Sequence, residues 1–297
     1  MKSSTALLLG LLLLGNGAQA ALATVASTTS AEMLLREIGG DAVTLATLAP
    51  PDRDAHTLQV KPSMLRALRT ARLVVAIGAE LEAGWLPLAI SAAANPKILP
   101  GQDGYFEIAA QVPLLAVQGA GGADRARGDV HPMGNPHVQM DPVRLADAGV
   151  ALAERLAKLE PAQAVAFRRR AQRFRQEVAA RMPAWRQQLA GAPGALLYHK
   201  DAEYLMTRFE LPILGYVEPL PGLPPTASHL AGLVGRLKGS RGVIVHTVFQ
   251  SHRGIATLAA QLGWPAHALP LDPPPGASGA AYFALIGQWV QALASAR

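Results

Sequence analysis

Four residues of metal-ligating type stand where short apolar runs give way to turns. They are His56 in Asp54-Ala55-His56, His137 in Asn135-Pro136-His137, His199 in Leu196-Leu197-Tyr198-His199, and Asp272 in Leu269-Pro270-Leu271-Asp272. A fold that gathered them would create a cage of three imidazole nitrogens and one carboxylate oxygen. That donor set suits Zn2+, which accepts tetrahedral N/O ligation at about 2.0–2.2 Å. Mn2+ prefers more oxygen donors and fits less well, whereas Cu2+ also favours imidazole. Such a cage weakens in acid, because its imidazoles must be neutral to ligate. Asp54, Pro136 and Pro142 are suited to orient the ligands, since proline presets its own φ and restricts the residue before it.

The remaining histidines divide by position. His131 lies in a glycine-rich stretch beside His137, and His246 ends the apolar run Val243-Ile244-Val245; both are candidate accessory ligands. His229 and His252 at helix starts and His267 inside a strand read as ordinary polar residues. Asp141 reads as the cap of a helix that begins at Val143.

The elements that must position these residues alternate. In the first half, strands are expected over 21–27, 43–48 and 73–77, and helices over 30–38, 62–70 and 82–94, with Ser30 as a cap. Residues 115–136 break the pattern with closely spaced Gly and Pro. Helices then follow over 143–159 and, opened by Pro161, to about Leu189. At 1.5 Å rise per residue the second is a rod of about 40 Å, long enough to run along two lobes. The second half repeats the alternation: strands over 195–198, 213–217, 242–245 and 266–271, and helices over 202–209, 229–237, 255–262 and 280–294. A β-α-β-α order of this kind predicts α/β architecture, with mostly parallel sheets flanked by helices. The expectation is two similar lobes, 21–160 and 191–297, joined by one long rigid helix over 161–190. His56, His199 and Asp272 then lie beyond the carboxyl ends of strands, where open α/β sheets bind ligands. Two ligands from each lobe place the metal in the interlobe cleft.

Composition bounds the rest. The run Ala6–Leu14 after Lys2, followed by Ala18-Gln19-Ala20, reads as an export signal cleaved after Ala20. The chain of 297 residues contains no cysteine, which excludes disulfides and, on this reading, a lipid anchor at the mature N-terminus. A soluble periplasmic protein is expected. The net charge of +6 is concentrated at Arg168, Arg169, Arg170, Arg173, Arg175, Arg181 and Arg186, opposite Phe167, Phe174, Val178 and Trp185. That is the solvated face of an amphipathic helix, not a nucleic-acid surface.

Several segments resemble the metal-binding periplasmic receptors of ABC transporters for zinc and manganese, the ZnuA/TroA-like family. Asp54-Ala55-His56-Thr57-Leu58-Gln59-Val60-Lys61-Pro62-Ser63 is similar to the family's D-P-H-x-Y-E-P-K-P-S segment, and Asn135–Pro142 to its N-P-H-V-W-L-D-P. Tyr198-His199-Lys200-Asp201-Ala202 resembles its H-D-A turn with a lysine inserted, and Leu271-Asp272-Pro273 its L-D-P. The resemblance spans nearly all of the mature chain. It implies that His56, His137, His199 and Asp272 are the ligands, and that His199, where manganese-type members carry glutamate, favours zinc. The long histidine- and acid-rich loop of many zinc receptors is replaced here by a Gly/Arg loop over 118–130 with His131 beside it, and His246 stands where the family commonly has an acidic residue. Glu218-Pro219 and Pro224–Leu230 resemble a loop of some zinc-type members.

The resemblance implies a monomeric, non-enzymatic receptor that captures Zn2+ and delivers it to a membrane ABC permease. The alternatives are an exported zinc metallochaperone or adhesin and, further off, a zinc-dependent hydrolase using His246 or Asp272 as base. Neither an H-E-x-x-H motif nor a nucleophile elbow supports the last.

Overall fold

The computed structural model describes residues 20–115 and 131–296. The expected export signal, apart from Ala20, and the whole of the expected Gly/Arg loop over 118–130 lie outside the described residues.

The first sheet is built from β1 (Leu22–Ala26), β2 (Val43–Thr47), β3 (Leu73–Ala76) and β4 (Tyr105–Glu107), all parallel, in the order β2-β1-β3-β4. Helices α1 (Thr29–Gly39), α2 (Pro62–Thr70) and α3 (Leu86–Ala93) connect and cover it. The second sheet repeats this plan with β5 (Ala195–Leu197), β6 (Ile213–Tyr216), β7 (Val243–Thr247) and β8 (Ala266–Leu269) in the order β6-β5-β7-β8, again all parallel. Its helices are α6 (Glu203–Arg208), α7 (Ala227–Leu237), α8 (Ile255–Leu262) and α9 (Gly279–Ala294). Between the sheets run α4 (Pro142–Leu159) and α5 (Ala164–Leu189); the 26 residues of α5 make a rod of about 39 Å.

The two-lobed α/β architecture matches the expectation, with three local differences. Strand β4 was not anticipated, because three residues give no apolar run to read. Helix α1 is capped by Thr28, whose hydroxyl accepts from the Ala31 amide, and not by Ser30. Strand β7 extends through His246 to Thr247 instead of ending at Val245.

Side-chain alternation sorts each sheet into two faces. Val25, Val74 and Ala76 pack outward with α2 and α3, and Leu196 and Ile244 pack outward with α7 and α8. Ala26, Leu73, Val75, Leu197, Val243 and Val245 face inward, and they all join one continuous core. Helices α1, α4, α5 and α9 complete it with Leu34, Leu152, Phe174 and Trp289, each at most 1% exposed. The two lobes therefore share an interior. The arginines on the outer side of α5 pair with acids of neighbouring helices: Arg168 grips Glu154 at 2.8 and 2.7 Å, Arg173 meets Glu37 at 2.9 Å, and Arg175 meets Asp147 at 3.3 Å.

Asp141 adds a polar tie. Its Oδ1 caps α4 by accepting from the Val143 and Arg144 amides at 3.0 and 3.3 Å. The Arg208 fork from α6 donates to both of its oxygens at 2.8 and 2.7 Å, and Arg144 donates as well. The carboxylate is fully buried. Asp141→Ala removes a cap, at about 1 kcal/mol, and leaves two arginines without their anion. Those arginines are partly exposed, so the total falls below the ~3–5 kcal/mol of a fully buried broken pair. A loss of about 2–3 kcal/mol is expected, read as a fall of about 3–5 °C in Tm for a chain of this size; a Tm unchanged within experimental error refutes the tie.

Candidate metal centre

Each histidine is delivered by a local device. In Asp54-Ala55-His56 the aspartate Oδ1 accepts from the His56 amide at 2.9 Å and also meets His56 Nδ1 at 2.7 Å. In Asn135-Pro136-His137 the same geometry recurs, with Asn135 Oδ1 accepting from the His137 amide at 2.9 Å. Both are turns closed by an Asx side chain two residues before the histidine. Asn135 also reaches across the cleft: its Nδ2 donates to the Lys200 carbonyl at 2.8 Å and to Glu203 Oε2 at 2.9 Å. The turn that presents His137 is thereby tied to the turn that follows His199.

His199 leaves β5 next to Glu218, which leaves the neighbouring strand β6. The pairing places Glu218 Oε2 2.8 Å from His199 Nδ1, and the same oxygen accepts from the Gly222 amide at 3.0 Å.

The His56 turn lacks regular structure and is propped from below by the segment before α3. Trp85, 1% exposed, donates its indole N–H to the Ala55 carbonyl at 2.8 Å. A Cβ on Gly84 would come within 3.1 Å of the His56 carbonyl oxygen, so the chain approaches there more closely than a side chain permits comfortably. Buried Glu82 ties this prop to the sheet, accepting from the Ser27 hydroxyl at 2.6 Å and from the Ile77 and Gly78 amides at 2.8 and 3.0 Å. The intervening residues Gly78, Ala79 and Glu80 have φ of 82°, 47° and 71°. Left-handed backbone at two non-glycine residues stores strain, and it is held by this hydrogen bonding.

These devices bring three of the four sequence candidates together. The rings of His56, His137 and His199 have centroids 5.4, 5.5 and 5.9 Å apart, and one nitrogen from each lies within 4.8 Å of the others. Among the described residues this is the only such group of three or more potential ligands. Asp272 lines the same cavity of about 290 Å³ but stands outside that close group. His131 is brought in too, its Nε2 lying 3.1 Å from His56 Nε2.

His246 is not brought in. In a strand that runs to Thr247 it shares the face of Ile244, which packs outward. It is buried there with Nδ1 3.1 Å from the Thr247 carbonyl and its ring edge-on to His252 at 4.9 Å. His229 and His267 have structural partners, the Tyr216 carbonyl and the Ser295 hydroxyl.

The electrostatics favour a cation. His137 is 2% exposed, and neither of its ring nitrogens has a hydrogen-bond partner. Burial, together with the charges of His56, His199 and His131, holds it well below its ordinary pKa, so it is a neutral donor. Gln139 Oε1 and Asp272 Oδ1, on the same cavity wall, are likewise buried without partners. Burial pushes Asp272 up to about 6. Burial also pulls His199 down, but the Glu218 hydrogen bond and the charges of Asp201, Glu218 and Asp54 outweigh it and leave it raised. Asp54 is lowered, because the His56 hydrogen bond and charge more than offset its burial. Buried polar atoms are normally satisfied, so orphaned acceptors converging on one cavity fit a ligand that supplies positive charge. Asp54 and Glu218 each engage an Nδ1, so Nε2 is the nitrogen of His56 and His199 that no carboxylate holds.

Sequence reading missed Asn135, Glu82 and Trp85 as supports. The Asx-x-His spacing shared by Asp54-Ala55-His56 and Asn135-Pro136-His137 was the one available signal for Asn135; the others act over distances no local pattern carries.

Comparison with known proteins agrees with this geometry. The model of the ZnuA family, "Zinc-uptake complex component A periplasmic", matches residues 24–296. No curated protein matches the sequence. Among solved structures, a ZnuA crystal structure is similar with a TM-score of 0.72 at 22% identity, covering 92% of this chain and 99% of that one. FpvC from Pseudomonas aeruginosa in complex with Mn2+ gives a TM-score of 0.76 at 22% identity, over 91% of this chain and 96% of that one. The laminin-binding protein Lmb of Streptococcus agalactiae, described as having adhesin and metal-transporting activity, gives 0.70 at 18% identity, over 92% and 99%. At these identities the likeness establishes the fold. Proteins of the ZnuA family are metal-binding receptors of transport systems, periplasmic or extracellular, and not enzymes. With the family match covering residues 24–296, the chain belongs to the ZnuA family of periplasmic zinc-uptake components.

Proposed function

We propose that the protein is a periplasmic receptor that takes up Zn2+ in the cleft and passes it to an ABC permease. In this reading residues 1–20 are removed on export, 21–160 and 191–297 are the metal-binding lobes, 161–190 links them, and the receptor acts as a monomer. The observation that carries it is the convergence of His56, His137 and His199 with one nitrogen from each inside a 4.8 Å cluster. Asp272 is the proposed fourth donor: it lines the cavity, and its Oδ1 is buried without a partner. Three imidazoles and one carboxylate favour zinc over manganese, which seeks more oxygen ligands.

Titration of the mature chain with Zn2+ against a competing chelator tests the assignment. His56→Ala, His137→Ala and His199→Ala are each expected to weaken binding by about 100-fold or more, beyond the 10–100-fold typical of outer-shell losses. Unchanged affinity in all three sinks the reading. Glu218→Gln and Asp54→Asn disturb only the orientation of a ligand ring, so an affinity loss within that 10–100-fold range is expected. A loss as large as for the histidines themselves refutes a merely orienting role.

Affinity also depends on pH with a definite sign. The raised pKa of His199, above its ordinary 6.5, means that its proton competes with the cation before that of His137 on acidification. Binding is therefore expected to weaken as pH falls, beginning above pH 6.5. His137, held neutral by burial, joins only at lower pH. A Zn2+ titration series from neutral to mildly acid pH checks this; a flat profile across it contradicts the histidine cage.

A further inference from the structure

Gln139 brings to the cleft a polar atom that no group among the described residues engages. Its side chain is 1% exposed and lines the cavity with His56, His137, His199 and Asp272, and its Oε1 is buried without a hydrogen-bond partner. A carboxamide oxygen left in that state costs free energy, because it has given up water and gained nothing in return. The cost is recovered only if something electropositive reaches it.

The backbone holds this oxygen in place. Gln139 lies two residues after His137, in the short turn Val138–Met140. The Met140 amide donates to the His137 carbonyl at 3.1 Å, and the Asp141 amide donates to the Val138 carbonyl at 3.0 Å. The Tyr282 hydroxyl, from α9, donates to the Gln139 carbonyl at 2.8 Å. Gln139 and His137 are thus mounted on one pinned turn, and only the glutamine side chain is left to adjust. In Asn135–Pro142 this glutamine stands where the N-P-H-V-W-L-D-P pattern has tryptophan, whose indole donates an N–H and offers no oxygen. The exchange places a neutral acceptor at the cavity wall. It has no proton to lose and adds no charge beside Asp272. Carbonyl oxygens suit Mn2+ better than imidazole nitrogens do.

We propose that Gln139 Oε1 is an oxygen donor to the cation held by His56, His137 and His199, and that it sets how strictly the site separates Zn2+ from Mn2+. With Asp272 it brings two oxygens to three imidazole nitrogens. The second oxygen helps Mn2+ more than Zn2+, so the preference for zinc is narrowed and not reversed. The inference rests on the metal-receptor reading of the cage and names a selectivity-determining residue within it.

The experiment is competition titration of the mature chain with Zn2+ and, separately, with Mn2+. Gln139→Met keeps the side-chain length and removes the oxygen. It is expected to weaken Mn2+ binding about tenfold or more and Zn2+ binding about threefold or less. Gln139→Glu keeps an oxygen and is expected to bind Mn2+ at least as tightly as the wild type. Co2+ supplies a direct view of the donors, since it absorbs visible light more strongly as its coordination number falls; loaded Gln139→Met is expected to absorb more strongly than the loaded wild type. Unchanged Mn2+ affinity in Gln139→Met overturns the proposal. So do equal losses for both metals with a wild-type Co2+ spectrum, which reduce Gln139 to packing, and so does Gln139→Glu binding Mn2+ as weakly as Gln139→Met. Each of these results strikes the selectivity role alone while the histidine variants still lose Zn2+. A wild-type chain that binds no divalent cation fails differently: it removes the receptor reading itself.

Discussion

A single hydrophobic interior joins the two sheets, and it fixes the strand ends from which the candidate histidines are presented. Two independently folded lobes on a flexible linker would let His56 and His199 drift by several ångströms. Here Val75 and Val245, from different sheets, belong to the same core, sealed by α1, α4, α5 and α9. A wide hinge opening would expose that apolar surface at about 25 cal/mol per Å². Rearrangement on this scaffold is confined to loops and side chains at the carboxyl ends of the strands, where the histidines are.

On that rigid base the cleft is organised by oxygens that hold rather than ligate. Asp54 and Asn135 fold the backbone before His56 and His137 in the same way, and Glu218 steers the ring of His199. Asn135 and Asp141 reach further, each joining the segment around His137 to the α6 region of the other half. Polar ties and apolar core therefore act in the same direction. The result is preorganisation: little side-chain freedom remains to be lost when a ligand arrives.

Much of this was legible in the sequence, for reasons that also explain what was not. Histidines at the ends of apolar runs stand out because the run fixes a strand and the strand fixes where its exit lies. Pro142 and Asp141 marked the start of α4, and the Phe167–Trp185 periodicity marked α5. Strand β4 escaped because Tyr105–Glu107 owes its pairing to β3 and not to its own pattern. His246 was misjudged by two residues of strand length, enough to leave it facing outward, away from the shared core. Asn135, Glu218 and Trp85 act on residues across a turn, an adjacent strand or a separate segment, and such partnerships exist only once the chain has folded. The sharing of one core by two sheets was equally hidden, since an apolar residue does not announce which layer will cover it.

His137 carries one consequence beyond geometry. Its two ring nitrogens, with Gln139 Oε1 and Asp272 Oδ1, are buried without partners along one cavity wall. Folding has here overridden a local conflict that no group of the protein resolves, and such conflicts concentrate where a protein works. Four unpartnered buried atoms thus line one wall of the cleft. A cation that settles there relaxes the fold as well as filling a site, so thermal stability becomes a gauge of occupancy.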